Sequence, residues 1–179
     1  MTKPIHQVVD TERPLPVAGD WFVIHTKSRQ EKLLAGDLAA RGVDHYLPLM
    51  EHVRFYGHHK TRIWLPVFPG YLFLRGDLDH AYVADRTKRV VRIIKVQDQQ
   101  QLEWELQNIH LALRCDAPLE PFVYLQVGVR VAVRSGPFKG LEGVIEKMGR
   151  GAQRLVLQVD MLGQAMSVEV DASLLDVID

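Results

Sequence analysis

The chain has 179 residues, 47% hydrophobic and 25% charged, with a formal net charge of zero. That composition excludes a disordered chain and suits one domain or two small ones. Cys115 is the only cysteine, which excludes a disulfide framework and a Cys-based zinc site within one chain. No apolar run approaches the ~20 residues that span a bilayer, and residues 1–19 lack a signal-peptide core, so no membrane contact is expected and the expected compartment is a reducing cytoplasm. Charge is divided unevenly: residues 1–115 hold 16 Lys/Arg against 13 Asp/Glu, and residues 116–179 hold 6 against 9. Basic patches are therefore to be sought in the first part.

Residues 1–19, polar and holding Pro4, Pro14, Pro16 and Gly19, read as a flexible tail. "WFVIHT" (Trp21–Thr26) is a short β-forming run and predicts a strand. A helix follows, with Ser28 as N-cap and Glu31 completing a capping box. Leu33, Leu34, Leu38 and Arg41 fall along one face of that helix, and Gly42 marks its stop. "VDHYLPLM" predicts a strand, and Pro48, which cannot donate to a ladder, marks either an edge strand or the strand's exit. "EHVRFYGHHKTRIWLP" predicts an extended hairpin or long loop around Gly57. "PVFPGYLFLR" predicts a strand that begins at Tyr71, after the two prolines. "DLDHAYVADRT" predicts a helix capped by Asp77, "RVVRIIKV" a strand, and "QQQLEWELQNIHLAL" a helix. The order implies an α+β fold, a mainly antiparallel sheet with flanking helices over residues 20–115. Residues 116–124, with two prolines, read as a linker. Period-2 segments separated by Gly-containing turns over residues 125–179 predict a small β-barrel.

No enzyme signature, cofactor motif or phosphate loop is found. His52, His58 and His59 lie close in sequence, but only Glu51 joins them, so a solvated basic hairpin is the simpler reading than a metal site. Three basic clusters carry more weight. Lys27, Arg29, Gln30 and Lys32 sit at the start of the first helix, where free N–H groups and the dipole suit phosphate. Arg54, Lys60 and Arg62 interleave with Phe55, Tyr56, His58 and His59 in the hairpin. Arg86, Lys88, Arg89, Arg92 and Lys95 form the third. Cations contact phosphate while aromatics stack on bases, a combination suited to single-stranded or distorted nucleic acid. Ordinary solvated charge is the bland alternative.

"WFVIHTKSRQEKLLAGDLAARGVDHYLP" with "PVFPGYLFLR", followed by "VGVRVAVRSGPFKGLEGVIEK" and "MLGQAMSVEVD", resembles the NusG family of transcription elongation factors over residues 20–179. The first two stretches look like its N-terminal domain and the others like its C-terminal KOW barrel. "HTKSRQEK", "YLP" and the short segment before "TKRVVRI" look more like specialised paralogues of the RfaH type. The resemblance implies a non-enzymatic factor, a monomer, that binds the clamp helices of RNA polymerase through Val23, His25, Phe68, Tyr71 and Phe73. It implies contact with the non-template DNA strand through Lys27, Arg29, Gln30 and Lys32; Arg86, Lys88, Arg89 and Arg92 join them as nucleic-acid candidates. It further implies that Phe138, Leu141 and Leu162 meet ribosomal protein S10 or the termination factor Rho. Alternation places Tyr71 and Phe73 on one strand face and Leu72 and Leu74 on the other, with Trp21, Val23 and His25 sharing a face. A ribosome-associated RNA-binding KOW protein is the alternative reading.

Overall fold

In the first strand, successive side chains are buried on both sides, so both faces of its sheet are covered. The structure, a computed structural model, describes residues 14–56, 59–115, 120–122, 128–146 and 152–178. The tail over residues 1–13, and Gly57 and His58 of the hairpin, lie outside the described residues. Contacts divide the chain into two units between Gln97 and Asp98.

The first unit runs β1 (Asp20–Thr26), α1 (Glu31–Ala39), β2 (His45–Tyr46), β3 (Leu49–Tyr56), β4 (His59–Pro66), β5 (Tyr71–Gly76), α2 (Leu78–Arg86) and β6 (Val90–Lys95). Four strands make an antiparallel sheet in the order β2-β5-β1-β6, with β2 at an edge; Pro48 lies past the end of β2, where the single strand expected from "VDHYLPLM" breaks before β3. β3 and β4 pair separately, from Leu49↔Pro66 to Tyr56↔His59, as the expected hairpin. One sheet face holds Phe22, Ile24, Leu72 and Leu74 against Leu34 and Leu38 of α1 and Ala81 and Ala84 of α2. Each large apolar side chain removed from water there contributes about 1.5–3 kcal/mol.

Helix α1 departs from expectation at its start. Ser28 does not cap it; Gln30 occupies that position and makes no side-chain capping bond. The Glu31 carboxylate is instead drawn to the far turn, where it accepts from the Gly70 N–H at 2.7 Å. Leu33, expected on the packed face, is 52% exposed, because Leu34 and Leu38 centre the apolar stripe and Leu33 lies ~100° from Leu34. The helix closes as predicted, Gly42 donating to Ala39 and Val43 to Leu38 at 3.1 and 3.0 Å. Helix α2 begins at the predicted Asp77, whose side chain accepts from His80 N in a reciprocal capping box.

The second unit contains α3 (Gln99–Leu113), β7 (Glu120–Phe122), β8 (Val129–Val133), β9 (Glu142–Glu146), β10 (Ala152–Val159), β11 (Gln164–Asp171) and β12 (Leu175–Val177). Its antiparallel ladder runs β12-β8-β9-β10-β11-β7. Leu155, Val156 and Leu157 are buried in succession, so β10 is covered on both faces, and α3 packs against it. Trp104 Nε1 donates to Glu142 at 2.8 Å, and Glu142 N donates to Asn108 at 2.7 Å. The Arg130 guanidinium stacks over the Trp104 ring at 4.5 Å. The sequence places α3 in the domain of residues 20–115, whereas the division of contacts puts its residues in the second unit. Within the stretch read as a linker, Glu120–Phe122 pairs with β11; positions 116–119 and 123–124 lie outside the described residues.

Candidate partner and nucleic-acid interfaces

The turn ahead of β5 is built by its sequence. Tyr71 N donates to Phe68 O at 3.1 Å, with Pro69 and Gly70 between them and Gly70 at φ +86. Proline sets the first central position of such a type II turn, and the second needs the positive φ that glycine adopts without strain. Gly70 O then accepts from Thr26 N at 2.8 Å, and Gly70 N donates to Glu31. The turn is thus fastened to β1 and to the start of α1.

Cross-strand register arranges the sheet face opposite α1 and α2 in rows. Tyr46, Phe73, Val23 and Ile94 form one row, and Tyr71, His25 and Arg92 the next. Arg75 lies beside Trp21 with its guanidinium 4.8 Å from the ring centre. Phe68 meets Phe73 edge-on at 6.0 Å, and the His25 and Tyr71 rings stack at 5.1 Å. The predicted patch is therefore assembled on one face, but its members differ in access. Val23, Phe68 and Phe73 are 0%, 1% and 0% exposed, while His25 and Tyr71 are partly exposed. Of the five, only the stacked pair reaches solvent; Val23 and Phe73 lie in the neighbouring row of the same face, and Phe68 packs on Phe73. Arg92, predicted as a nucleic-acid contact, falls by register beside this pair.

Two of the basic clusters converge at one corner. Lys27 N donates to Arg89 O at 2.8 Å, joining the loop after β1 to the loop before β6. Arg89 Nε meets Asp37 Oδ2 of α1 at 2.8 Å, and Arg89 Nη1 donates to Gln30 Oε1. Lys27, Arg29 and Lys88 are exposed around this junction, as is Arg86 at the end of α2. Arg29 and Lys88, at φ 61 and 60, are the two non-glycine residues with positive φ among those described. Lys32 turns away and donates to Trp64 O of β4. Gln30 and Arg89 are thus occupied with each other, and Asp37 is the member of the group that sequence reasoning missed. Asp37 lies 52 residues from Arg89, and no spacing rule links them. As the Asp37 and Arg89 side chains are 34% and 31% exposed, the pair contributes about 0–1 kcal/mol to stability.

In the second unit, the loop after β8 closes with Gly140 N donating to Val133 O and Leu141 N to Phe138 O. Phe138 and Leu141 are buried there, so they shape the loop, while Lys139 is exposed. Leu162 is partly exposed, next to Met161, an exposed side chain that the sequence reading did not single out. Among the described residues no group of three His, Cys, Asp or Glu side chains could hold a metal ion. No helix among them is long and apolar enough to cross a membrane.

A family model described as "Transcription termination factor nusG" matches residues 19–109, just over half of the chain. The chain belongs to the NusG family. The aromatic face and the basic corner both lie inside the matched residues. Relatives include the transcription termination/antitermination proteins NusG of Rickettsia prowazekii and Neisseria meningitidis. The first is 23% identical over 170 residues, covering 84% of this chain and 86% of the relative. The second is 25% identical over 177 residues, covering 89% and 98%. A solved structure of Thermotoga maritima NusG aligns with TM-score 0.45 and 19% identity, covering 89% of this chain and 97% of that one. NusG proteins are a family of transcription factors rather than enzymes.

Proposed function

We propose that this NusG-family chain is a cytoplasmic, monomeric elongation and antitermination factor, related in its recruitment to the RfaH-type paralogues. Its first unit docks on the clamp helices of RNA polymerase and reduces pausing. His25 and Tyr71 make the contact, beside the buried Val23, Phe68 and Phe73 of the same patch. The basic corner, through Lys27, Arg29 and Lys88 with Arg86, follows the displaced non-template DNA strand. The second unit is a KOW domain that reaches ribosomal protein S10 or Rho through the loop shaped by Phe138 and Leu141 and through Leu162.

The observation that carries this reading is the stacked His25–Tyr71 pair, standing partly open on a sheet face that also holds the buried Trp21, Val23, Tyr46 and Phe73, inside the family-matched residues. Aromatic side chains with one open side, next to buried apolar neighbours and a cation, have the composition enriched at protein interfaces. The test is co-purification of the chain with core RNA polymerase. The wild type is expected to be retained, and Tyr71→Ala to weaken retention by about tenfold or more. RNA binding that persists in Tyr71→Ala, without polymerase binding by the wild type, would favour a ribosome-associated RNA-binding protein instead.

A further inference from the structure

Gln30, Arg89 and Asp37 form a side-chain bridge whose polar groups face one another rather than a ligand. Each of its two loop members directly follows a basic residue in the left-handed region: Gln30 follows Arg29, and Arg89 follows Lys88. Such a backbone conformation persists in non-glycine residues only where the surroundings hold it. The bridge supplies that hold from both loops at once, and α1 anchors it through Asp37. Arg41 lies nearby, its Nη1 donating to the Asp37 backbone carbonyl at 2.7 Å and standing 4.0 Å from the carboxylate.

We propose that Asp37 is a positioning residue for nucleic-acid binding: through Arg89 it locks the loops 27–30 and 87–89 together, so that Lys27, Arg29 and Lys88 present one cationic surface to a single strand. The proposal rests on the reading of this corner as a DNA contact. It gives an acidic residue a favourable part in binding a polyanion, the reverse of its direct electrostatic effect. It also gives Arg89 a part in the lock as well as its charge, since Nε and Nη1 are engaged within the protein.

The experiment titrates the full chain against a fluorescently labelled single-stranded DNA at several salt concentrations. Lys27→Ala is expected to lower the salt slope by about 0.7, the share of one phosphate contact on a single strand. Charge alone predicts that Asp37→Asn binds more tightly, whereas positioning predicts binding weaker by about 5-fold or more. Arg89→Lys keeps the charge but loses the planar fork, and is expected to weaken binding alongside Asp37→Asn. A second readout is hydrogen exchange at the Lys27 amide, which bonds to Arg89 O and is expected to exchange faster in both variants. If Asp37→Asn and Arg89→Lys bind as tightly as wild type or tighter while Lys27→Ala weakens, the positioning role is wrong and the DNA contact stands. If the wild type itself does not bind, the DNA reading fails and takes the positioning role with it.

Discussion

At Gly76 an added methyl group would lie 2.9 Å from His80 Nδ1 and 3.0 Å from the ring carbon beside it, on a backbone at φ +156. Gly76→Ala must therefore displace the ring that completes the α2 cap, and is expected to cost about 1–3 kcal/mol in a urea titration. The cap also has an acid limit. The His80 backbone N–H, aided by the His80 side chain, holds the Asp77 carboxyl below its ordinary value of 3.8. A carboxyl lowered in the folded state stabilises it above the unfolded value, and that stability is lost as pH falls through the folded value. Protection of the first-turn amides of α2, taken relative to their intrinsic exchange rates at each pH, should hold at neutral pH and fall only below about pH 4. Asp77 could be read from sequence because capping is local, a matter of three residues. Glu31 could not: the same local rule gave it to Ser28, but its carboxylate found the Gly70 N–H 39 residues away. Asp37 was illegible for the same reason, since its partner is defined only once β1, α1 and β6 have been brought together.

Helices and strands were legible where apolar period and turn chemistry agreed, as in β1, β5, α2 and the β3–β4 hairpin. The Pro69-Gly70 pair fixes both the type II turn and the start of β5, so its reading needed no tertiary information. Helix α3 was legible as a helix, but its packing partner was not. Its tie to β9 is made by Trp104 reaching Glu142, 38 residues on, and an amphipathic stripe does not say what covers it. Trp104→Phe keeps most of the ring area and removes that donor. It is expected to destabilise the protein by about 1–2 kcal/mol in chemical denaturation, because Glu142 loses a charge-assisted bond. An unchanged midpoint would mean that packing alone seats the helix.

For the molecule as a whole, a net charge of zero conceals the basic corner of the first unit, and a modest hydrophobic fraction conceals the aromatic sheet face. The sequence identified the members of that face through alternation and family resemblance. It did not foresee that Val23, Phe68 and Phe73 would be closed to solvent, because burial depends on what packs over a residue and not on its type. The account therefore concentrates partner contact on Tyr71 and His25. Its central claim is tested most directly by the lifetime of a defined pause in single-round transcription with core RNA polymerase, measured with wild-type protein and with Tyr71→Ala. The account predicts that the wild type shortens the pause and that Tyr71→Ala, at the same concentration and with unchanged stability, leaves it near the factor-free value. A wild type without effect on pausing, or a Tyr71→Ala variant as active as the wild type, would contradict it.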